Sequence, residues 1–127
     1  MKCKELQIGD WIQDRNGFQC QIIGVGDDYA YATFEDNDGD PWEFDDKDDQ
    51  PEGIPLTKEI LDKNGWKETQ YWHEYQDGKN TIQCCLPDMR GRINGIEIEH
   101  FKCEYVHQYQ HLLRLCGFDE LADKFKV

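Results

Sequence analysis

The sequence predicts an α+β protein. A strand-rich N-terminal half, a bent sheet or SH3-like small barrel over residues 1–53, precedes a half over 54–127 built from a helix, a β-hairpin and strand, and a C-terminal helix. Three observations carry this reading. Short runs of alternating apolar and polar residues, separated by Gly-, Asn- and Asp-rich turns, fill the first fifty positions. Two later segments carry paired helix start and stop signals. Between them, "DDKDDQPEG" is too charged to bury and is punctuated by Pro51 and Gly53, so it marks the internal boundary. At 127 residues the chain suffices for one compact unit, or for two packed halves sharing a core.

The strands come first. "GDWIQD" and "FQCQIIGV" flank Asn16-Gly17, a pair whose ready adoption of positive φ predicts a two-residue hairpin turn. Phe18, Cys20 and Ile22 alternate with Gln19 and Gln21, which makes one face apolar and the other wet. "YAYATFE" and "PWEFDD" continue the pattern across "DNDGDP". Trp11, Phe18, Tyr29, Tyr31, Phe34, Trp42 and Phe44 are expected mainly as core. Any of these rings left exposed beside the acidic residues could hold an Arg or Lys side chain by cation–π and Coulomb attraction.

In "IPLTKEILDKNGW", Thr57 is placed to cap a helix and Leu56 to staple onto Leu61. Gly65 then stops the helix in a left-handed conformation, with Trp66 folding back on Leu61. "YWHEYQDGKNTIQCCL" reads as a hairpin about Asp77-Gly78, and "GRINGIEIEHF" as one more strand with Ile96 and Ile98 facing opposite to Glu97 and Glu99. A helix is predicted over 105–116. Tyr105, Val106, Tyr109, Leu112, Leu113 and Cys116 share one arc of it, and His107, His111 and Arg114 lie opposite. Gly117 ends it, Phe118 is placed to contact Leu113, and Asp119 is expected to cap a last short helix, "ELADKF".

The net charge of −13 is concentrated: residues 27–53 hold twelve Asp or Glu against Lys47 alone. Such a field repels phosphate backbones, which argues against direct binding of nucleic acid, and attracts a basic protein partner. The expected interaction surface is Asp36, Asp38, Asp40, Trp42, Asp45, Asp46, Asp48 and Asp49. Two other readings use the same carboxylates: a DNA mimic occupying the phosphate sites of a nucleic-acid-binding protein, or a segment that simply keeps the domain soluble. "MKCKELQIGDW" has no apolar stretch suited to a signal peptide and no segment reaches membrane-spanning length, so a cytoplasmic protein without membrane contact is expected. Its six cysteines are then expected as reduced, mostly buried thiols.

Chemistry-bearing constellations are sparse. His107 and His111, at i and i+4, have the spacing of a one-faced Zn²⁺ site, with Glu104, His73 or His100 as third ligand, and a metal-dependent enzyme is the reading they would support. Gln108 breaks the HExxH pattern and Arg114 would repel a cation, which favours a structural, hydrogen-bonding His107. "EDNDGD" resembles part of a calcium loop, but aligning Gly39 with the loop glycine puts Phe34 at the first ligand position and Asp45 where a bidentate Glu belongs, so a tight acidic turn is expected. Cys84 or Cys85 could be sketched as a nucleophile with His100 or His107; neighbours on a strand face opposite ways, so one thiol should be core and one surface. "MRGRING" lacks the P-loop pattern and is expected as a flexible loop. No motif calls for a cofactor.

"IPLTKEILDKNGW" and "YVHQYQHLLRLCG" resemble two blocks of a group of small uncharacterised proteins from gut bacteria and their prophages, "IPLTEEILLKNGF" and "YVHQLQNLY", which follow an opening similar to "LQIGDWI". Tyr109 and His111 stand where that pattern has Leu and Asn. The resemblance implies an accessory protein of a mobile element, with no activity, substrate or cofactor attached. Together these expectations describe a non-enzymatic module that binds a basic macromolecule.

Overall fold

The computed structural model describes residues 1–34, 40–86, 88, 90–99 and 102–127. The architecture is α+β, and the chain divides into two compact units, Met1–Ile54 and Pro55–Val127.

In the first unit a 3-10 turn, Cys3–Glu5, precedes β1 (Trp11–Gln13), β2 (Gln19–Val25), β3 (Tyr29–Phe34), β4 (Trp42–Asp45) and β5 (Glu52–Gly53). Their order is β4-β3-β2-β1-β5, a meander whose last strand returns beside the first, as in an SH3-like small barrel. All pairings are antiparallel, and an irregularity between Ile22 and Gly24 bends β2 so that the sheet can curl. The inner face buries Ile12, Cys20, Ile22, Ala30, Ala32 and Phe44, joined by Cys3 and Leu6 from the N-terminal turn.

Two expectations change here. Of the seven aromatics only Phe44 is fully buried; Phe18, Tyr29, Tyr31 and Trp42 are all exposed. A tightly curled sheet leaves little interior volume, and Ala30 and Ala32 fill it while Tyr29 and Tyr31, one residue out of phase, face outward opposite Asp45 and Glu43. The first hairpin also has a longer loop than a two-residue turn. Asp14 pairs with Phe18 through the Asp14 N–H to Phe18 carbonyl bond (3.0 Å), and only Gly17 takes positive φ, at 86°. The cause is the Asp14 carboxylate, whose Oδ1 accepts from the N–H groups of Asn16 and Phe18, both at 2.9 Å, and so stabilises a three-residue loop closed by a left-handed glycine.

The second unit contains α1 (Lys58–Lys63), β6 (Lys67–Glu68), β7 (His73–Asp77), β8 (Asn80–Cys85), β9 (Arg90–Ile93), β10 (Ile96–Glu97), α2 (Val106–Leu115) and α3 (Asp119–Asp123). Its sheet is an antiparallel meander in the order β10-β9-β8-β7-β6. Thr57 caps α1 by accepting from the Ile60 N–H at 3.2 Å. Both predicted glycine stops form: Trp66 N–H reaches the Leu61 carbonyl at 3.0 Å, and Phe118 N–H the Leu113 carbonyl at 2.8 Å.

The core of this unit is built on Trp66, whose ring lies 4.6 Å from Tyr75, 5.8 Å from Tyr109 and 5.6 Å from Phe125 between centroids. Its indole N–H donates to the buried Tyr109 hydroxyl at 3.1 Å. On the sheet, Gly91 lets α2 approach closely: a Cβ there would lie 2.8 Å from Leu112 Cδ1.

Four local expectations are corrected. Asp77 pairs with Asn80, so the β7–β8 turn centres on Gly78-Lys79, one residue later than predicted. "GRINGIEI" is a hairpin rather than a single strand: Asn94 (φ 52°) and Gly95 (φ 82°) form the two-residue turn, and Ile93 pairs with Ile96. Residues 90–93 of the expected flexible loop are therefore strand β9. Asp119 is the first residue of α3 rather than its cap, which falls on Phe118.

Candidate functional site

Of the acidic residues singled out from sequence, Asp36 and Asp38 lie outside the described residues, as does most of "EDNDGD". Asp40 and Asp48 are exposed. Three others perform structural tasks. Asp45, which ends β4, accepts from the backbone N–H groups of Lys47 (2.8 Å), Asp48 (2.6 Å) and Asp49 (3.3 Å). These donors, that of Asp48 foremost, hold its carboxyl below the usual carboxylate range. Asp46 accepts from the Cys3 N–H at 2.8 Å, which ties the N-terminal turn to the β4–β5 connection and lowers its pKa in the same way. Asp49 accepts from the Trp42 indole N–H at 2.8 Å. The acidic turn is thus a hydrogen-bonded element in which the charged forms of Asp45 and Asp46 are favoured.

The strands place aromatic rings beside this charge on two faces. On the outer face, Tyr29 and Tyr31 stand next to each other, centroids 5.5 Å apart, opposite Asp45 and Glu43. On the other face, at the end of the core, Phe34 and Trp42 meet almost perpendicularly, at 84° with centroids 6.3 Å apart. None of the strands β1 to β5 contains a Lys or Arg. Sequence reasoning passed over Glu43 as a site residue and treated the tyrosines as core; the register of β3 against β4 was the missing information. It also missed Asp10, which is fully buried and accepts from the Gln7 N–H at 2.8 Å.

The histidine pair sits differently from its helical-wheel position. His107 is buried, its ring stacked on Tyr105 at 5.9 Å and edge-on to His111 at 5.7 Å. The predicted stripe is buried at Val106, Tyr109, Leu112 and Leu113, but α2 is covered on a second side as well, which takes in His107. Gln110 is also buried and donates to the Ala122 carbonyl of α3 at 3.0 Å. Gln108 closes the start of the helix, its Oε1 accepting from the N–H groups of Glu104 and Tyr105, both at 3.0 Å. Glu104 is exposed, His73 is buried on β7, and His100 lies outside the described residues. Among the described residues no group of three or more His, Cys, Asp or Glu side chains is arranged to hold a metal ion.

All six cysteines are free thiols, and five are buried. Contrary to the alternation argument, Cys84 and Cys85 are both buried; the Cys85 thiol, on the opposite side of β8, lies 3.8 Å from the Asp88 carboxylate. The Cys84 thiol is pushed upward by its hydrogen bond with Cys103 and by burial. Burial likewise pushes Cys3 and Cys20 up to about 12. A nucleophilic or metal-binding cysteine needs the thiolate, and these surroundings oppose it.

In the second unit, Arg90 and Arg92 of β9 flank the Trp72 ring, at 5.5 and 4.8 Å from its centroid. Arg90 also pairs with Asp88 (2.9 Å) and Glu97 (3.2 Å). The basic residues of "MRGRING" are thus engaged with their own sheet.

No family model matches the chain, and no curated protein or solved structure matches it. Among the described residues no helix is long and apolar enough to cross a membrane.

Proposed function

We propose that this protein is a non-catalytic, cytoplasmic binding module that recognises a basic macromolecular partner through the acidic and aromatic surface of its first unit. The observation that carries the reading is the composition of that curled sheet. Its strands present exposed Tyr29, Tyr31 and Trp42 with Glu43, Asp45 and Glu52, and supply no cation of their own. Large amphipathic rings provide contact area at low entropic cost, and an unscreened negative field accelerates encounter with a positively charged surface. A basic protein complements both. The likeness of "IPLTKEILDKNGW" and the terminal helix to small prophage proteins supports an accessory role in a mobile element.

The test is capture of partners from host lysate at low and high salt, with wild-type protein and a variant neutralised at Glu43 and Asp48. These positions carry charge without making the structural bonds of Asp45, Asp46 and Asp49. The expected result is a basic protein retained by the wild type, released by salt and lost by the variant. Retention of the same proteins by both forms, or of none, rejects the reading. Displacement of a captured nucleic-acid-binding protein by duplex DNA would make the module a DNA mimic instead.

A further inference from the structure

We infer that the corner between Phe34 and Trp42 receives an arginine side chain of the basic partner, an assignment that rests on the binding reading above and gives it a specific contact. The two rings form perpendicular walls, and Trp42 is 47% exposed although it points to the core face of the sheet. Its cross-strand neighbour on β3, Ala32, is fully buried, so the exposed area here belongs to the rings themselves.

The indole is held in one orientation. Its N–H donates to Asp49 Oδ2, and the backbone N–H of Asp49 in turn donates to Asp45, so ring, carboxylate and turn hold one another in place. The carboxylate sits at the edge of the ring, where its charge lies beside any cation resting on the indole face. A planar guanidinium satisfies both features at once: it stacks on an aromatic face and donates from its edge to a carboxylate. An ammonium offers a compact charge with stronger hydration and no plane to stack.

The second unit provides an internal comparison. Its partly exposed Trp72 is flanked by Arg90 and Arg92 from the same sheet. The sheet that carries Trp42 has no Arg or Lys in any strand, within a unit holding fifteen Asp or Glu against four Lys or Arg. The same residue type is therefore presented once with its arginines in place, and once with the cation left to be supplied from outside.

The experiment titrates the full chain at low salt with hexa-arginine and, separately, hexa-lysine, following the Trp42 indole N–H resonance and the dissociation constant. Binding of hexa-arginine should shift that resonance and exceed hexa-lysine binding. Trp42→Leu, Phe34→Leu and Asp49→Asn should each weaken hexa-arginine binding by about 3- to 10-fold, on the scale of one cation–π contact. The Phe34 and Asp49 variants leave the indole present and keep the test informative if Trp42→Leu disturbs the fold. Hexa-arginine binding with an unmoved Trp42 resonance, undiminished affinity in the variants, or equal affinity for hexa-lysine overturns the arginine corner while leaving the basic-partner reading standing. Failure of the wild type to bind either peptide overturns both.

Discussion

Asp45 shows how much a single residue's surroundings decide. In the sequence it is one carboxylate among many; in the fold it gathers three N–H groups and shapes the turn that positions Asp49 against Trp42. Its pKa is held below the ordinary 3.8, so its contribution to stability is complete above that value. Acidification protonates the unfolded chain first, and the contribution is lost as pH falls through the depressed folded value. Asp45→Asn should therefore weaken the dependence of urea midpoint on pH below 3.8, and an unchanged slope would refute this role. A buried pair permits a second prediction. Tyr109→Phe removes the acceptor of the Trp66 indole N–H in a site without water access and should cost about 1–3 kcal/mol, measured by chemical denaturation. Neither effect is legible in the sequence, where an Asp or Tyr looks the same whether or not a distant backbone or indole donor meets it.

At the scale of elements, the two Asn-Gly pairs that lie in hairpins, out of three in the chain, diverge for a local reason. Asn94-Gly95 adopts the two-residue turn, with Asn94 at φ 52° and its side-chain Oδ1 accepting from the Thr81 N–H at 2.8 Å. Asn16-Gly17 does not, because Asp14 closes a three-residue loop first. Asn94→Ala should then destabilise by about 1–2 kcal/mol, from left-handed strain alone, while Asn16→Ala should change little. Equal effects in thermal or urea melts would contradict this distinction. The helix stops, by contrast, were readable because their cause is local: glycine takes positive φ cheaply, and Trp66 and Phe118 follow directly. The burial of His107 and Gln110 was not, since helical periodicity within α2 does not say how the next element folds back: Gln110 meets Ala122 of α3. Packing between elements also makes Gly91 sensitive. Gly91→Ala pushes a methyl group into Leu112 and should cost about 1–3 kcal/mol, with native-like stability of that variant the disproving result.

Across the whole molecule, charge and core are partitioned between two units, each with its own sheet. Residues 1–54 carry fifteen acidic against four basic residues, and residues 55–127 twelve against ten. Repulsion within the first unit opposes its folding, so raising salt from about 10 mM to about 0.3 M should raise the melting temperature by screening like charges. A flat or falling response would show that the acidic turn's hydrogen bonds outweigh that repulsion. Composition and short-range pattern alone determined the α+β class, the acidic segment, the capped helix at Thr57 and the two glycine stops, because each depends on a residue's own conformational preference or on neighbours within about one turn. Only the tertiary structure decided the return of β5 beside β1, the exposure of Tyr29, Tyr31 and Trp42, the interior position of His107 and the structural use of Asp45, Asp46 and Asp49. These depend on strand register and on contacts between distant segments, and a shift of one residue in register would turn every side chain of a strand to its other face.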